Sequence, residues 1–297
     1  IQDSQLITID GKVMAVAFMA NTQHLYVRTD VLKENGIAIP KTYEEVVAAS
    51  EKIRAAGKMK YPYAAAYKAG WNLAEEFVNM YIGHGGEFFK AGTAEPNVNN
   101  AKGVATLNML KKLADLSNPD YLTHDSEAIK VEWEAGNVAI MTLWASRSGT
   151  LLDDEGDAKI TAATKLVAPA TVGGGNIPAA TLWWDGFTLA KNRSDADAEA
   201  SFRAMAHAAS SKEMVAKAAD QAVWLVEGFV PGPKSVGVIE AVKMGAKPYP
   251  MLPQMGLMHG ALGSEIVEFL QGNESAEQAL KDVEAAYMTK AKEQGFL

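Results

Sequence analysis

Residues 11–52, GKVMAVAFMANTQHLYVRTDVLKENGIAIPKTYEEVVAASEK, combine three local signals whose order decides how the rest of the chain is read. The first is a strand-like run from Val13 to Val27, rich in β-branched and aromatic residues and interrupted by the polar group Asn21, Thr22, Gln23 and His24. The second is Thr29-Asp30, an N-cap pair that opens a two-turn helix through Val31, Leu32 and Lys33, which Gly36 stops. In the third, Pro40 ends the preceding segment, and Thr42 with Glu45 predicts a capping box. The helix it opens carries Val46, Val47, Ala49, Ser50 and Ile53 at helical spacing and stops at Gly57.

Working outward, helical patterns recur at about 42–56, 73–84, 100–117, 124–135, 195–209, 211–219, 235–244, 256–271 and 275–293. Strand-like runs fall near 13–19, 24–28, 138–144, 165–168 and 182–190. Such alternation predicts an α/β architecture in which helix exceeds strand. A length of 297 residues fits about two domains, and 48% hydrophobic with 22% charged residues excludes a disordered chain. The net charge of -8 argues against a nucleic-acid partner, whose phosphates need clustered Lys and Arg. There is no run of ~18 apolar residues that could span a membrane. Zero cysteines exclude a disulfide framework and every thiolate site.

The ordered set Asn21, Thr22, Leu25, Tyr26, Asp30, Pro40, Thr42, Tyr43, Glu44 and Glu45 resembles the central segment of the extracellular solute-binding proteins of ABC importers. The likeness is to their carbohydrate-binding group, which includes the maltose-binding protein. In that group a strand crosses between lobes and leads to a short helix and then a Pro-Lys-Thr helix start. Three later stretches continue the resemblance in order. Glu134–Met141 with Trp144 looks like a helix-Gly-strand unit, Thr181–Lys191 (TLWWDGFTLAK) like a strand returning to the first lobe, and Tyr249–Glu265 like a return to the second.

The resemblance implies a periplasmic-binding-protein-like two-lobe α/β fold, helix-rich, with an interlobe cleft. It divides the chain into 1–20 as a first-lobe remnant and first crossing, 21–181 as the second lobe, 182–245 as a return to the first lobe and 246–297 as closing helices on the second. Family members begin with βαβ units, and this chain starts at Ile1 close to the first crossing. The first lobe is therefore expected to be incomplete, with weakened ligand affinity and an exposed apolar patch. The implied function is capture of a sugar or polyol and its delivery to an ABC transporter permease, by a periplasmic or extracellular monomer that associates with the membrane transiently.

A pyranose presents apolar C–H faces that stack on rings and hydroxyls that need planar donors and acceptors. Candidate ligand contacts follow from that chemistry and from the cleft edges the resemblance implies. In Trp183-Trp184-Asp185-Gly186, strand alternation sends one tryptophan to the core and the other to the cleft, and Trp184 with Asp185 is the favoured pair, against both tryptophans serving as packing. Trp144 and Arg147 offer a stacking plane and a bidentate donor, against a surface ion pair of Arg147 with Asp153 or Asp154. Asn21 and Thr22 break an apolar strand, which suits either sugar hydroxyls or a hydrated loop. Trp71 lies just outside a helix that Asn72 is expected to cap. His259 stands where maltodextrin-binding relatives place a stacking ring, against a structural role, and points to a ligand other than a long maltodextrin.

Sugar clefts also belong to glycosidases, which need two carboxylates roughly 5–9.5 Å apart across the bond. Glu75 with Glu76 and Asp153 with Asp154 are sequence neighbours that read as solvated faces, so no catalytic residue is expected. No phosphate-binding loop, H-E-x-x-H or G-x-S-x-G is present. The histidines at 24, 84, 124, 207 and 259 lack metal-ligand spacing, so neither a metal nor a cofactor is expected. A carbohydrate-cleft enzyme and a non-transport sensor or interaction domain are the alternatives to a transport role.

Overall fold

A computed structural model describes residues 5–153, 156–210 and 212–297. Ile1, at the expected start of the first-lobe remnant, and Asp154, a candidate partner of Arg147, lie outside the described residues.

The strands form two sheets. In chain order they are β1 (Leu6–Ile9), β2 (Lys12–Asn21), β3 (Gln23–Arg28), β4 (Tyr63–Ala64), β5 (Ile140–Trp144), β6 (Thr164–Val167), β7 (Thr181–Phe187), β8 (Val223–Trp224) and β9 (Lys247–Pro248). One sheet runs β1-β2-β7-β9 with β8 also on β2, and the other runs β4-β5-β3-β6. The opening apolar run is thus one long strand bent at a single residue, Thr22. Its first half pairs antiparallel with β7, Asn21 facing Trp183, and its second half with β5, Gln23 facing Trp144. Each sheet is the floor of one lobe, and the seam at Thr22 is where a cleft between two lobes must lie.

Every residue of β3 is buried, because it is the inner strand of its sheet and helices cover both faces. On one face Leu25, Val27 and Ile140 meet the helices Tyr43–Ala55, Trp71–Gly83, Ala101–Ala114, Met255–Glu265 and Ala276–Glu293 in one large core. On the other, Tyr26, Met141 and Leu143 pack on Trp133 of the Ser126–Glu134 helix. The Trp71–Gly83 helix runs through the centre of the large core and buries residues all round, from Leu73 to Gly83.

The predicted capping box forms with a shift. Thr42 Oγ1 accepts the N–H of Glu45 at 3.1 Å, but the Glu45 carboxylate accepts from Lys41 N–H at 2.6 Å. Thr29-Asp30 is corrected: the helix already includes Thr29, whose hydroxyl donates to Ala163 C=O, and Asp30 is held by the fork of Arg28 at 3.0 and 2.7 Å. The first-lobe sheet carries an apolar groove of about 720 Å³ between β2, β7 and the Asp195–Ser210 helix, with Val13, Met14, Leu189 and Phe202 exposed. An exposed apolar patch on this lobe was expected from the sequence.

Candidate functional site

The seam is built around Gly70. Its φ of 94° and ψ of -132° are open only to glycine, and this turn starts the helix at Trp71. Gly70 N–H donates to Gly263 C=O at 3.0 Å, and a Cβ on Gly263 would overlap the Gly70 carbonyl. The loop is thereby pressed against the Met255–Glu265 helix, and Trp71 projects half-exposed from the first helical position. Asn72 lies inside the helix and Gly70 holds the cap position, contrary to the expected Asn cap.

His259 secures this arrangement from behind. Its Nε2–H donates to Trp71 C=O at 3.0 Å and its Nδ1 accepts from the Tyr249 hydroxyl at 2.9 Å, which fixes the neutral tautomer. Burial lowers its pKa. The imidazole is buried with both nitrogens engaged, so it braces two aromatic side chains, its ring centroid 5.0 Å from that of Trp71.

Trp183 is the centre of the aromatic wall. Its ring centroid lies 4.4 Å from Tyr249, 5.7 Å from Trp71 and 5.9 Å from Trp144, and Trp71 and Trp144 are 6.3 Å apart. It is Trp183, not the favoured Trp184, that joins this cluster of rings. Alternation along β7 puts Trp183 and Asp185 on one face, opposite Asn21 and Met19, and puts Trp184 on the other with Ala20. Asp185 is exposed on the Trp183 face, and partial desolvation raises its pKa.

The polar break at the crossing finds its partners within the protein. Asn21 Oδ1 accepts from the N–H groups of Thr22 (3.0 Å) and Ser146 (3.2 Å), pinning the turn after β5 that carries Trp144. Thr22 is fully buried and its hydroxyl donates to Thr181 C=O at 2.8 Å, tying the two crossing strands together. In place of a loop, Thr22 forms a buried joint between the strands. Arg147 pairs with Glu127 of the neighbouring helix.

Beneath the wall lies a group that the sequence reading placed in solvent. Glu75 and Glu76 are buried, and desolvation pushes the pKa of each up to about 8. Glu75 Oε1 lies 3.0 Å from Trp183 Nε1 and 2.9 Å from Thr181 Oγ1, while Thr181 Oγ1 is 2.7 Å from Asn79 Oδ1. Asn79 Nδ2 donates to Gln23 Oε1 at 3.2 Å. Sequence reasoning named Trp183 only beside the favoured Trp184 and read Glu75 as solvated, and it did not single out Tyr249 or Asn79. One signal was available: Trp71, Glu75 and Asn79 recur every four residues, on one stripe of a helix.

The seam presents a wall of indole and phenol rings edged by Asp185 and the Asn21 carboxamide, with the Arg147 charge matched by Glu127. Comparison with known proteins places it in context. A probable ABC transporter-binding protein of Deinococcus radiodurans is 31% identical over 193 residues, 62% of this chain and 44% of that protein's length. Maltose-bound MalE3 of T. maritima superposes with a TM-score of 0.81 at 19% identity, covering 97% of this chain and 76% of that one. An ABC transporter solute-binding protein of Agrobacterium vitis S4 with bound D-mannitol gives 0.79 at 18%, covering 98% and 78%. One from Agrobacterium radiobacter K84 in complex with ribitol gives 0.79 at 19%, covering 94% and 72%. The sequence profile described as bacterial extracellular solute-binding protein matches residues 3–215, and the chain belongs to that family.

Proposed function

We propose that this protein captures a neutral sugar or polyol against the aromatic wall at the seam of its lobes and hands it to an ABC-type membrane transporter from the periplasmic or outer side. The observation that carries the proposal is the convergence of Trp71, Trp144, Trp183 and Tyr249 from four separate segments on one surface. Indole faces stack on the C–H faces of a sugar or on a polyol backbone, Asp185 supplies acceptors for hydroxyls, and the Asn21 Nδ2 hydrogen not used by Ser146 supplies a donor. Trp71, half-exposed, is the ring most available to a ligand, while Trp183 sets the wall's position through Glu75. The sugar and polyol ligands of the structural neighbours support the same chemistry. The closed state is favoured by the ligand's differential affinity, and closure presents a new surface to the permease.

A thermal-shift screen against mono- and disaccharides, polyols, amino acids and peptides tests the proposal, since a ligand of the folded state must raise the melting temperature. A sugar or polyol hit is expected. Trp71→Ala and Trp183→Ala should each weaken it about tenfold or more, the loss of one stacking face. Hits confined to amino acids or peptides, or a sugar hit indifferent to both substitutions, would overturn the assignment.

A further inference from the structure

The hydrogen-bonding groups of the seam divide into those already engaged and those left over. Trp183 Nε1 lies 2.8 Å from Thr181 Oγ1 and 3.0 Å from Glu75 Oε1, so this indole turns its N–H inward and offers the seam only its ring. The Tyr249 hydroxyl donates to His259 Nδ1 at 2.9 Å. Ser146 N–H donates to Asn21 Oδ1 at 3.2 Å, and one Asn21 Nδ2 hydrogen goes to Ser146 Oγ, also at 3.2 Å. Most donors that could meet an anion here are spent within the protein.

The charges divide in the same way. Arg147, three residues after Trp144, pairs with Glu127. Lys68, three residues before Trp71, lies 3.0 Å from Asp125. Lys234, whose carbonyl accepts from Ser148 beside Arg147, lies 3.7 Å from Asp220. His259 is neutral, with both ring nitrogens engaged. Asp185 is the exception. It is exposed on the Trp183 face of β7, roughly 7 Å along the strand from Trp183, and no hydrogen bond or ion pair holds it among the described residues. Desolvation is the sole influence on its pKa, so no neighbouring charge offsets it. Lys12, the one basic residue of β2, stands seven positions from Met19, which faces Asp185 across the pair.

We infer that Asp185 selects ligands by charge at this seam: beyond neutral sugars and polyols, the site binds their protonated-amine counterparts (amino sugars, aminocyclitols and amino polyols) more tightly, and it turns away acidic ones such as uronates and sugar phosphates. The inference rests on the sugar or polyol reading and adds a charge class to it. An ammonium group donates charge-assisted hydrogen bonds to the unopposed carboxylate. The indole faces add to this, since a cation over an aromatic face is attracted by the ring quadrupole, and Trp71 is 50% exposed. A carboxylate or phosphate in the same place meets Asp185 as a like charge, and the guanidinium that could answer it is already paired with Glu127. A hydroxyl is intermediate, because it donates to Asp185 without bringing a charge of its own.

Titration calorimetry at pH 7 and low salt, with ligands that differ at one carbon, tests this. The probes are glucose, 6-amino-6-deoxyglucose and glucuronate, their galacto and manno counterparts, and glucitol, 1-amino-1-deoxyglucitol and gluconate. Within a set that binds, the amine should bind about tenfold more tightly than the neutral member and the acid about tenfold more weakly. The advantage of the amine should shrink severalfold as sodium chloride rises from about 20 mM to about 500 mM, because salt screens a charge pair open to solvent. Asp185→Asn should bring the ratio of amine to neutral affinity to within about twofold of unity. Glu127→Gln, which frees Arg147 at the other edge of the wall, should raise the affinity for the acid relative to the neutral member.

An amine that binds no more tightly than its neutral parent, or an advantage that survives Asp185→Asn, overturns the inference while the sugar or polyol reading stands. The salt series needs no variant, so it decides even if Asp185→Asn does not fold: an advantage unmoved by salt also overturns the inference. If no member of any set binds and the wider screen gives no carbohydrate or polyol hit, the reading of the site itself fails and charge selection falls with it.

Discussion

His24 is enclosed between β3 and the Val236–Lys243 helix, where Gly237 leaves room for the imidazole because any Cβ there would overlap the ring. Nδ1 lies 3.1 Å from both Leu25 C=O and Val167 C=O, so it carries the hydrogen, and Nε2 is buried without a partner. Protonation would bury a cation with an unsatisfied N–H, and desolvation lowers the pKa from 6.5 to about 4. The unfolded chain therefore binds a proton that the folded chain refuses. The associated stability is complete above pH 6.5 and is lost as pH falls towards 4. Urea unfolding should show this site contributing about 2 kcal/mol less at pH 5 than at pH 7, a difference that His24→Phe removes. An unaltered pH 5 to pH 7 difference in the variant would refute the assignment. His24 also shows where sequence reading stops at this scale. A histidine in a polar break gave no sign of facing a glycine 213 positions later in number, nor did Glu75-Glu76 show that its helix has no solvent face.

At the scale of elements most of the architecture was legible, because helix and strand periods are properties of a short window. The predicted helix at 42–56 is Tyr43–Ala55, that at 100–117 is Ala101–Ala114, and that at 275–293 is Ala276–Glu293. β1 was missed, four residues that depend on β2 for pairing, as were the two-residue strands β4, β8 and β9. The site was legible only in part. Alternation along β7 was clear, but its phase, which decides between Trp183 and Trp184, is set by β2 across the pair. Trp71 was found, yet the device that positions it is a glycine contact between distant segments, Gly70 against Gly263. Gly263→Ala would force the Met255–Glu265 helix away from that loop. Overpacking of backbone should cost about 1–3 kcal/mol in chemical unfolding and weaken ligand binding through Trp71. The neighbouring exposed Gly260, with nothing around its Cβ position, is the control, and Gly260→Ala should be tolerated. Equal losses in the two variants would show that the close approach does not position the wall.

For the whole molecule, β2 joins two unlike surfaces. Its Asn21 end enters the hinge and the aromatic wall, while its other end borders the apolar groove with Val13 and Met14 54% and 53% exposed. The seven residue-to-residue steps from Met14 to Asn21 put roughly 24 Å of strand between these surfaces. An apolar groove of about 720 Å³ is large enough to hold a hydrophobic dye, and such patches drive association when left uncovered. Folded wild type should therefore enhance anilinonaphthalene sulfonate fluorescence and self-associate as concentration rises. Met14→Lys together with Phe202→Glu should reduce both, since Phe202 on the Asp195–Ser210 helix faces the same groove. Because the groove contains none of the wall residues, the double variant should retain the ligand-induced thermal shift. Dye binding in wild type should likewise persist when the cleft is saturated. If ligand displaces the dye, or if the double variant loses ligand binding, the two ends of β2 are coupled and the groove takes part in cleft closure.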